Sequence, residues 1–229
     1  MKVCGLNKTT LLDYPEHIAA TVFTPGCNFR CSFCHNSKLI DPQENTSEIS
    51  QAELGIFFRK RQGILEGVCI TGGEPTLQGE LEPFCRELKA LGYLVKLDTN
   101  GSKPDVLHSL LQKRLVDYVS MDIKTTPEHY AIICGLSALD LNLINQSIRV
   151  LKESDIEYEF RTTVVKELHK ESDIWKIGEW IMGAKRYFLQ HFRENPNVLI
   201  QGYHSCSPKQ MESYREIMQR FVKYVKIRG

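Results

Sequence analysis

The sequence predicts an α/β fold: a partial, laterally open (β/α)6 TIM-type barrel. Three observations carry this expectation. Short β-rich runs alternate with amphipathic helical stripes about six times, the mark of parallel strands joined by right-handed crossovers. Polar motifs fall just behind the runs, where a parallel barrel places its chemistry. The chain has 229 residues, 42% of them hydrophobic, enough to bury one substantial core. A complete barrel takes eight units, whereas the runs here leave room for about six and a last strand in "VKYVKIRG". A doubly wound open sheet is the second choice.

The strands are expected, in order, at "IAATVFT" (18–24), "GVCIT" (67–71), "YLVKLDT" (93–99), "DYVSMDI" (117–123), "YEFRTTVV" (158–165) and "RYFLQ" (186–190). Between them, Ser50 with Glu53 reads as a capping box ahead of Leu54, Phe57 and Phe58. Leu77, Leu81, Phe84, Leu88 and Leu91 keep helical spacing, and Gly92 is the stop. Further stripes run through Leu141, Ile144, Ile148 and Leu151, and through Ile174, Ile177 and Ile181. Ser207 and Pro208 fit N-cap and first helical position before Met211, Tyr214, Met218 and Phe221. "DPQENTSEIS" (41–50) reads as a loop, since motifs of one apparent site lie on both sides of it. The whole chain, 1–229, is therefore expected to be one domain.

Composition narrows the function. Formal net charge is +1, which gives no general field for nucleic acid or an anionic membrane. The start lacks a signal-peptide pattern, and no stretch nears the ~18 apolar residues of a span. A cytoplasmic protein is expected, in a compartment where cysteines serve as metal ligands more often than as disulfides.

"CNFRCSFC" places Cys27, Cys31 and Cys34 within one loop and offers no fourth cysteine nearby. A closed structural zinc site wants four ligands. Cys34 and His35 are adjacent and would have difficulty reaching one tetrahedral ion together, although a distant thiol such as Cys69 could complete a set. A cubane iron–sulfur cluster usually takes four thiolates; held by three, it keeps one iron open to a cofactor or substrate. Other strand ends carry "TGGEPT", "DTNG" and "MDIKTT". Asp98 and Asp122 end neighbouring strands, with Thr99 and Asn100 beside them, and two such carboxylates would repel unless a cation or donor stands between them. Lys124, two residues after Asp122, shares its face of the strand.

The three-two cysteine spacing, with Phe33 before Cys34, resembles the cluster motif of radical S-adenosylmethionine (SAM) enzymes, and Gly72-Gly73-Glu74-Pro75 makes the resemblance specific. Nearly end to end, "GLNKTTLLDYPEHIAATVFTPGCNFRCSFCHN", "ITGGEPTLQ", "VKLDTNG", "DYVSMDIK" and "EFRTTVV" resemble the activating proteins of anaerobic ribonucleoside-triphosphate reductase, members of the glycyl-radical-enzyme activase group.

The resemblance implies a [4Fe–4S] cluster on Cys27, Cys31 and Cys34, with SAM on the fourth iron and its amino group received by Gly72, Gly73, Glu74 and Pro75. It implies a monovalent cation near Asp98 and Asp122, beside Thr99 and Asn100. Lys124 would meet the cofactor's carboxylate or form a salt bridge to Asp122 or Asp98; Arg161 would serve the same carboxylate or the ribose. The implied partners are a glycyl radical enzyme, the anaerobic reductase, and a flavodoxin or ferredoxin-like electron donor, with no nucleic acid and no membrane. The implied reaction is a 5′-deoxyadenosyl radical taking hydrogen from a glycine α-carbon. Cys4, Cys69, Cys85, Cys134 and Cys206 read as non-ligands, and His204 as an ordinary loop residue. The rivals are a small-molecule enzyme resembling 7-carboxy-7-deazaguanine synthase and a non-enzymatic metal-binding interaction protein.

Overall fold

The computed structural model describes residues 1–41 and 47–229. Positions 42–46 of the expected 41–50 loop therefore lie outside the described residues. An open eight-stranded sheet follows chain order, with β1 at Gly5–Thr10, β2 at Ala19–Thr24, β3 at Gly67–Gly72 and β4 at Leu94–Thr99. β5 is Tyr118–Asp122, β6 Glu157–Val164, β7 Arg186–His191 and β8 Tyr224–Arg228. All six expected strands and the last one at the C-terminal end are present. The addition is β1, which pairs antiparallel with β2 through an irregular register between Asn7 and Thr10. Its exposed Asn7, Lys8 and Thr9 give it no alternating apolar pattern to read.

By backbone contacts the chain divides into two compact units. The first holds Met1–Asn28, Lys38–Val119 and Asp155–Glu157; the second holds Phe29–Ser37, Ser120–Ser154 and Tyr158–Gly229. In the first, β2 pairs parallel with β3 and β3 with β4. Helices α1 (Gln51–Arg61), α2 (Leu81–Ala90) and α3 (Pro104–Gln112) belong to it. Ser50 and Glu53 close the capping box at α1. At the end of α2, Gly92 takes φ +87°, and the Tyr93 amide returns to the Leu88 carbonyl at 3.1 Å. Two stripe residues fall outside their expected helices and caps. Phe221 lies in the turn after Met218, where the last helix ends. Leu77 lies in a separate 3-10 turn, Pro75–Leu77, ahead of α2 and is partly exposed.

In the second unit β6, β7 and β8 pair in parallel. Its helices are α4 (Tyr130–Ile133), α5 (Leu141–Glu153), α6 (Glu171–Trp180) and α7 (Pro208–Met218). Ile144, Leu151, Ile174, Ile177, Ile181, Met211 and Met218 are all sealed from solvent. Ser207 caps α7 on Gln210, with Pro208 at the first position. Cys69 and Cys85 are buried, as their strand and helix positions foretell.

Candidate active site

In the first unit, the turn after β3 is built on two glycines. Gly72 has φ +118°, and a Cβ there would lie 2.4 Å from the Thr24 nitrogen. A Cβ on Gly73 would lie 2.1 Å from the Gly26 carbonyl oxygen. The approach lets the Gly73 amide donate to the Thr24 carbonyl at 2.8 Å and the Glu74 amide to that of Gly26 at 2.7 Å. Cys27 is fixed from the other side, its amide donating to the Ile40 carbonyl at 3.1 Å.

Glu74 is the hub of this turn. Its carboxylate accepts from the Thr76 amide at 3.1 Å, the Thr76 hydroxyl at 2.5 Å, the Thr99 hydroxyl at 2.7 Å and the Asn100 amide at 2.7 Å. Burial raises its pKa, and these donors oppose the shift without cancelling it. Thr99 and Asn100 thus support the glycine turn. Asn100 also donates to Asn28 at 2.9 Å, next to Cys27. Asp98 on β4 is bonded to Lys96, two residues earlier on the same face, and the Lys96 ammonium lies 3.6 Å from the Cys69 sulfur. Lys96 was absent from the expected site residues.

In the second unit, Asp122 at the end of β5 receives Lys124 Nζ at 2.6 Å and Arg161 Nε at 2.5 Å. Burial alone would raise the Asp122 pKa; the Arg161 and Lys124 charges outweigh it and hold the carboxyl well below its usual range. Burial acts to lower the Lys124 pKa, yet Asp122 and the Cys31 thiolate drive it above the ordinary lysine value. The Lys124 carbonyl bonds the His169 ring at 2.9 Å. The Lys124 amide donates to the Tyr130 hydroxyl at 3.3 Å. Of the two salt-bridge partners open to Lys124, Asp122 is the one it takes.

Cys31 and Cys34 sit on a loop secured from several elements. The Arg30 amide donates to the Cys134 carbonyl at 2.7 Å, and a Cβ on Gly135 would lie 2.5 Å from the Arg30 carbonyl oxygen. The Leu199 and Ile200 amides donate to the carbonyls of Cys34 and Ser32 at 3.2 and 2.8 Å. A hydrogen bond with the Cys134 thiol, helped by the Lys124 charge, outweighs burial and lowers the Cys31 pKa, whereas burial raises that of Cys34. Nothing in the sequence signals the Cys134 contact. His35 packs on Phe192 with ring centroids 5.2 Å apart, in keeping with a loop-fixing role. His204 bonds Glu167 on the surface.

None of the eight cysteines is in a disulfide. Among the described residues no three His, Cys, Asp or Glu side chains converge on a point that could hold one metal ion. A cubane cluster gives each thiolate its own iron, so its ligands need not converge. Three thiols on one loop, none in a disulfide, are a donor set that fits such a cluster and leaves its fourth iron to another ligand.

The comparisons with known proteins agree on a family. A model of the Radical SAM superfamily matches residues 21–181. A protein of Methanocaldococcus jannaschii, by its name a candidate glycyl-radical enzyme activating enzyme, is 31% identical over 97% of this chain and 92% of its own. The 7-carboxy-7-deazaguanine synthase of Thermococcus kodakarensis is 28% identical over 83% of this chain and 78% of its own. Among solved structures, a domain of pyruvate-formate lyase-activating enzyme from Bacteroides vulgatus superposes with TM-score 0.59 at 19% identity. It covers 71% of this chain and 99% of that domain, a likeness that speaks for the fold alone.

Proposed function

The chain belongs to the radical SAM superfamily, and we propose that it activates a glycyl radical enzyme, the anaerobic ribonucleoside-triphosphate reductase. The observation that carries the activase reading is the match, along nearly all of both chains, to the relative named for glycyl-radical enzyme activation; the anaerobic reductase as partner rests on the motif resemblance alone. Cys27, Cys31 and Cys34 would hold three irons of a [4Fe–4S] cluster. A bound cluster and SAM supply one-electron cleavage of a sulfonium C–S bond and hydrogen-atom abstraction from the partner's glycine, with a flavodoxin or ferredoxin-like protein as electron donor. The protein's part is orientation and the exclusion of water.

The Gly72–Pro75 turn brings backbone carbonyls where no Cβ intervenes, which suits the cofactor's ammonium. Glu74, Thr99 and Asn100 hold that turn rigid. Asp122 holds both Lys124 and Arg161, and one carboxylate against two cations leaves a positive charge suited to a second carboxylate or a ribose hydroxyl. A glycine substrate suits close approach, since it has no side chain to keep its α-hydrogen away.

Two experiments test this. Lys124→Ala and Asp122→Ala should keep the cluster but weaken SAM binding. The first removes a cation that would meet the cofactor's carboxylate, while Asp122 keeps Arg161. The second takes from Lys124 its desolvated counter-charge, a loss of about 2–5 kcal/mol. The readout is the change in the reduced cluster's EPR signal on adding SAM, and unaltered binding in both variants returns these residues to structural duty. Second, the reduced protein, SAM and the anaerobic reductase from the same source should give a glycine-centred EPR doublet in the reductase. Alanine in place of that glycine should remove it. The rival reading rests on the 28% identical synthase; turnover of a carboxylated pterin with no partner radical would favour it.

A further inference from the structure

Lys96 lies in the middle of β4 with its side chain 2% exposed. A lysine so deeply buried stays charged only when paired, and its pair is Asp98, itself 13% exposed. The period of two along a strand puts both on one face. Asp122 of β5 is paired by Lys124 and Arg161. The family resemblance implies a monovalent cation beside Asp98 and Asp122, and two carboxylates at strand ends independently call for a cation or a donor between them. The residues present do not fit that requirement, because side-chain cations already meet each carboxylate.

We propose that the Lys96 ammonium takes the place of a monovalent metal ion at Asp98, so that SAM binding by this protein is independent of potassium and sodium. The inference rests on the reading of the site as a SAM site. An ammonium on a strand is delivered with the fold and needs no ion captured from solution. A metal ion reaching Asp98 would have to displace a charge-assisted hydrogen bond in a dry setting, where such bonds are strongest. Lys96 also has a second anchor, the Cys69 sulfur at 3.6 Å, on the strand neighbour with which it is in register. That contact gives the ammonium a second partner on the neighbouring strand.

The test uses the reconstituted holoprotein in buffers whose only monovalent cation is tetramethylammonium, sodium or potassium. SAM affinity is read by titrating the change in the reduced cluster's EPR signal. The wild type should show the same affinity in all three. Lys96→Met removes the charge at similar volume; it should lose more than tenfold in tetramethylammonium, about 1.4 kcal/mol, and recover part of that in potassium. Lys96→Arg should behave as wild type. A wild-type affinity that falls tenfold without potassium or sodium overturns the proposal, even where the Met variant does not fold. So does a Met variant that binds as wild type in every buffer. A wild type with no SAM-induced change in any buffer instead removes the SAM reading itself, and the proposal with it.

Discussion

Alanine at Cys27, Cys31 or Cys34 is expected to abolish a stable [4Fe–4S] cluster outright. Alanine at Cys4, Cys69, Cys85 or Cys206 is expected to leave iron and sulfide content unchanged. The asymmetry follows from where the thiols lie. The first three share one loop, and that loop's backbone is tied down at Cys27, Arg30, Ser32 and Cys34, so a missing thiolate cannot be replaced by sliding the chain. Cys69 and Cys85 are sealed in a strand and a helix, and burial pushes the Cys85 thiol up to about 12, far from the thiolate a metal needs. Cys134 is the informative case. It touches Cys31 through a hydrogen bond, so its alanine variant should keep four irons but lower the cluster's reduction potential. A hydrogen bond to a ligand sulfur draws off electron density and favours the reduced form. Iron and sulfide assays on all eight variants decide the matter. A full cluster in the Cys31 variant, or a lost one in the Cys69 variant, would overturn the ligand assignment.

Much of this architecture could be read from local pattern, and what could not has identifiable causes. β2 to β7 announce themselves as β-branched or aromatic runs ending in polar motifs. β1 does not, being an edge strand with three exposed polar residues in a row. α4 has only four residues, too short to show a helical period. α3 carries its buried face on Pro104, Leu107 and Leu110, a short stripe masked by the polar "NGSK" ahead of it. In the site, the period-two argument that joined Lys124 to Asp122 applies equally to Lys96 and Asp98, yet Lys96 hides inside an apolar run. The Cys134–Cys31 contact and the Thr99–Glu74 bond join residues far apart in the chain, and no local spacing encodes them. Two carboxylates at strand ends call for positive charge, but local pattern does not say what supplies it. It took tertiary contacts to show lysines and an arginine already there.

Glu74→Ala is expected to be the most damaging single change outside the cysteines, and to act on the fold before it acts on chemistry. The Thr76 and Asn100 amides both donate to this carboxylate, and Thr76, Thr99 and Asn100 are all buried. Hydroxyls can rotate toward other acceptors; backbone amides cannot. Each buried donor left without a partner costs about 1–3 kcal/mol, so the two amides together put the loss at about 2–6 kcal/mol. Glu74→Gln should lose less, since its carbonyl can serve one amide while its NH2 confronts the other. The pH dependence separates the charge from the hydrogen bonds. Burial raises the folded-state pKa of Glu74 above its ordinary 4.5, so the folded protein binds this proton more tightly than the unfolded chain. Its contribution to stability is therefore greatest below pH 4.5 and declines as pH rises through the folded value. Glu74→Gln should remove that decline and leave the rest of the pH profile in place. Urea melts of the apoprotein across the acid range measure both effects without any cluster present. Should the Ala variant melt as wild type, the four hydrogen bonds to Glu74 would not be what holds the glycine turn against Thr24 and Gly26.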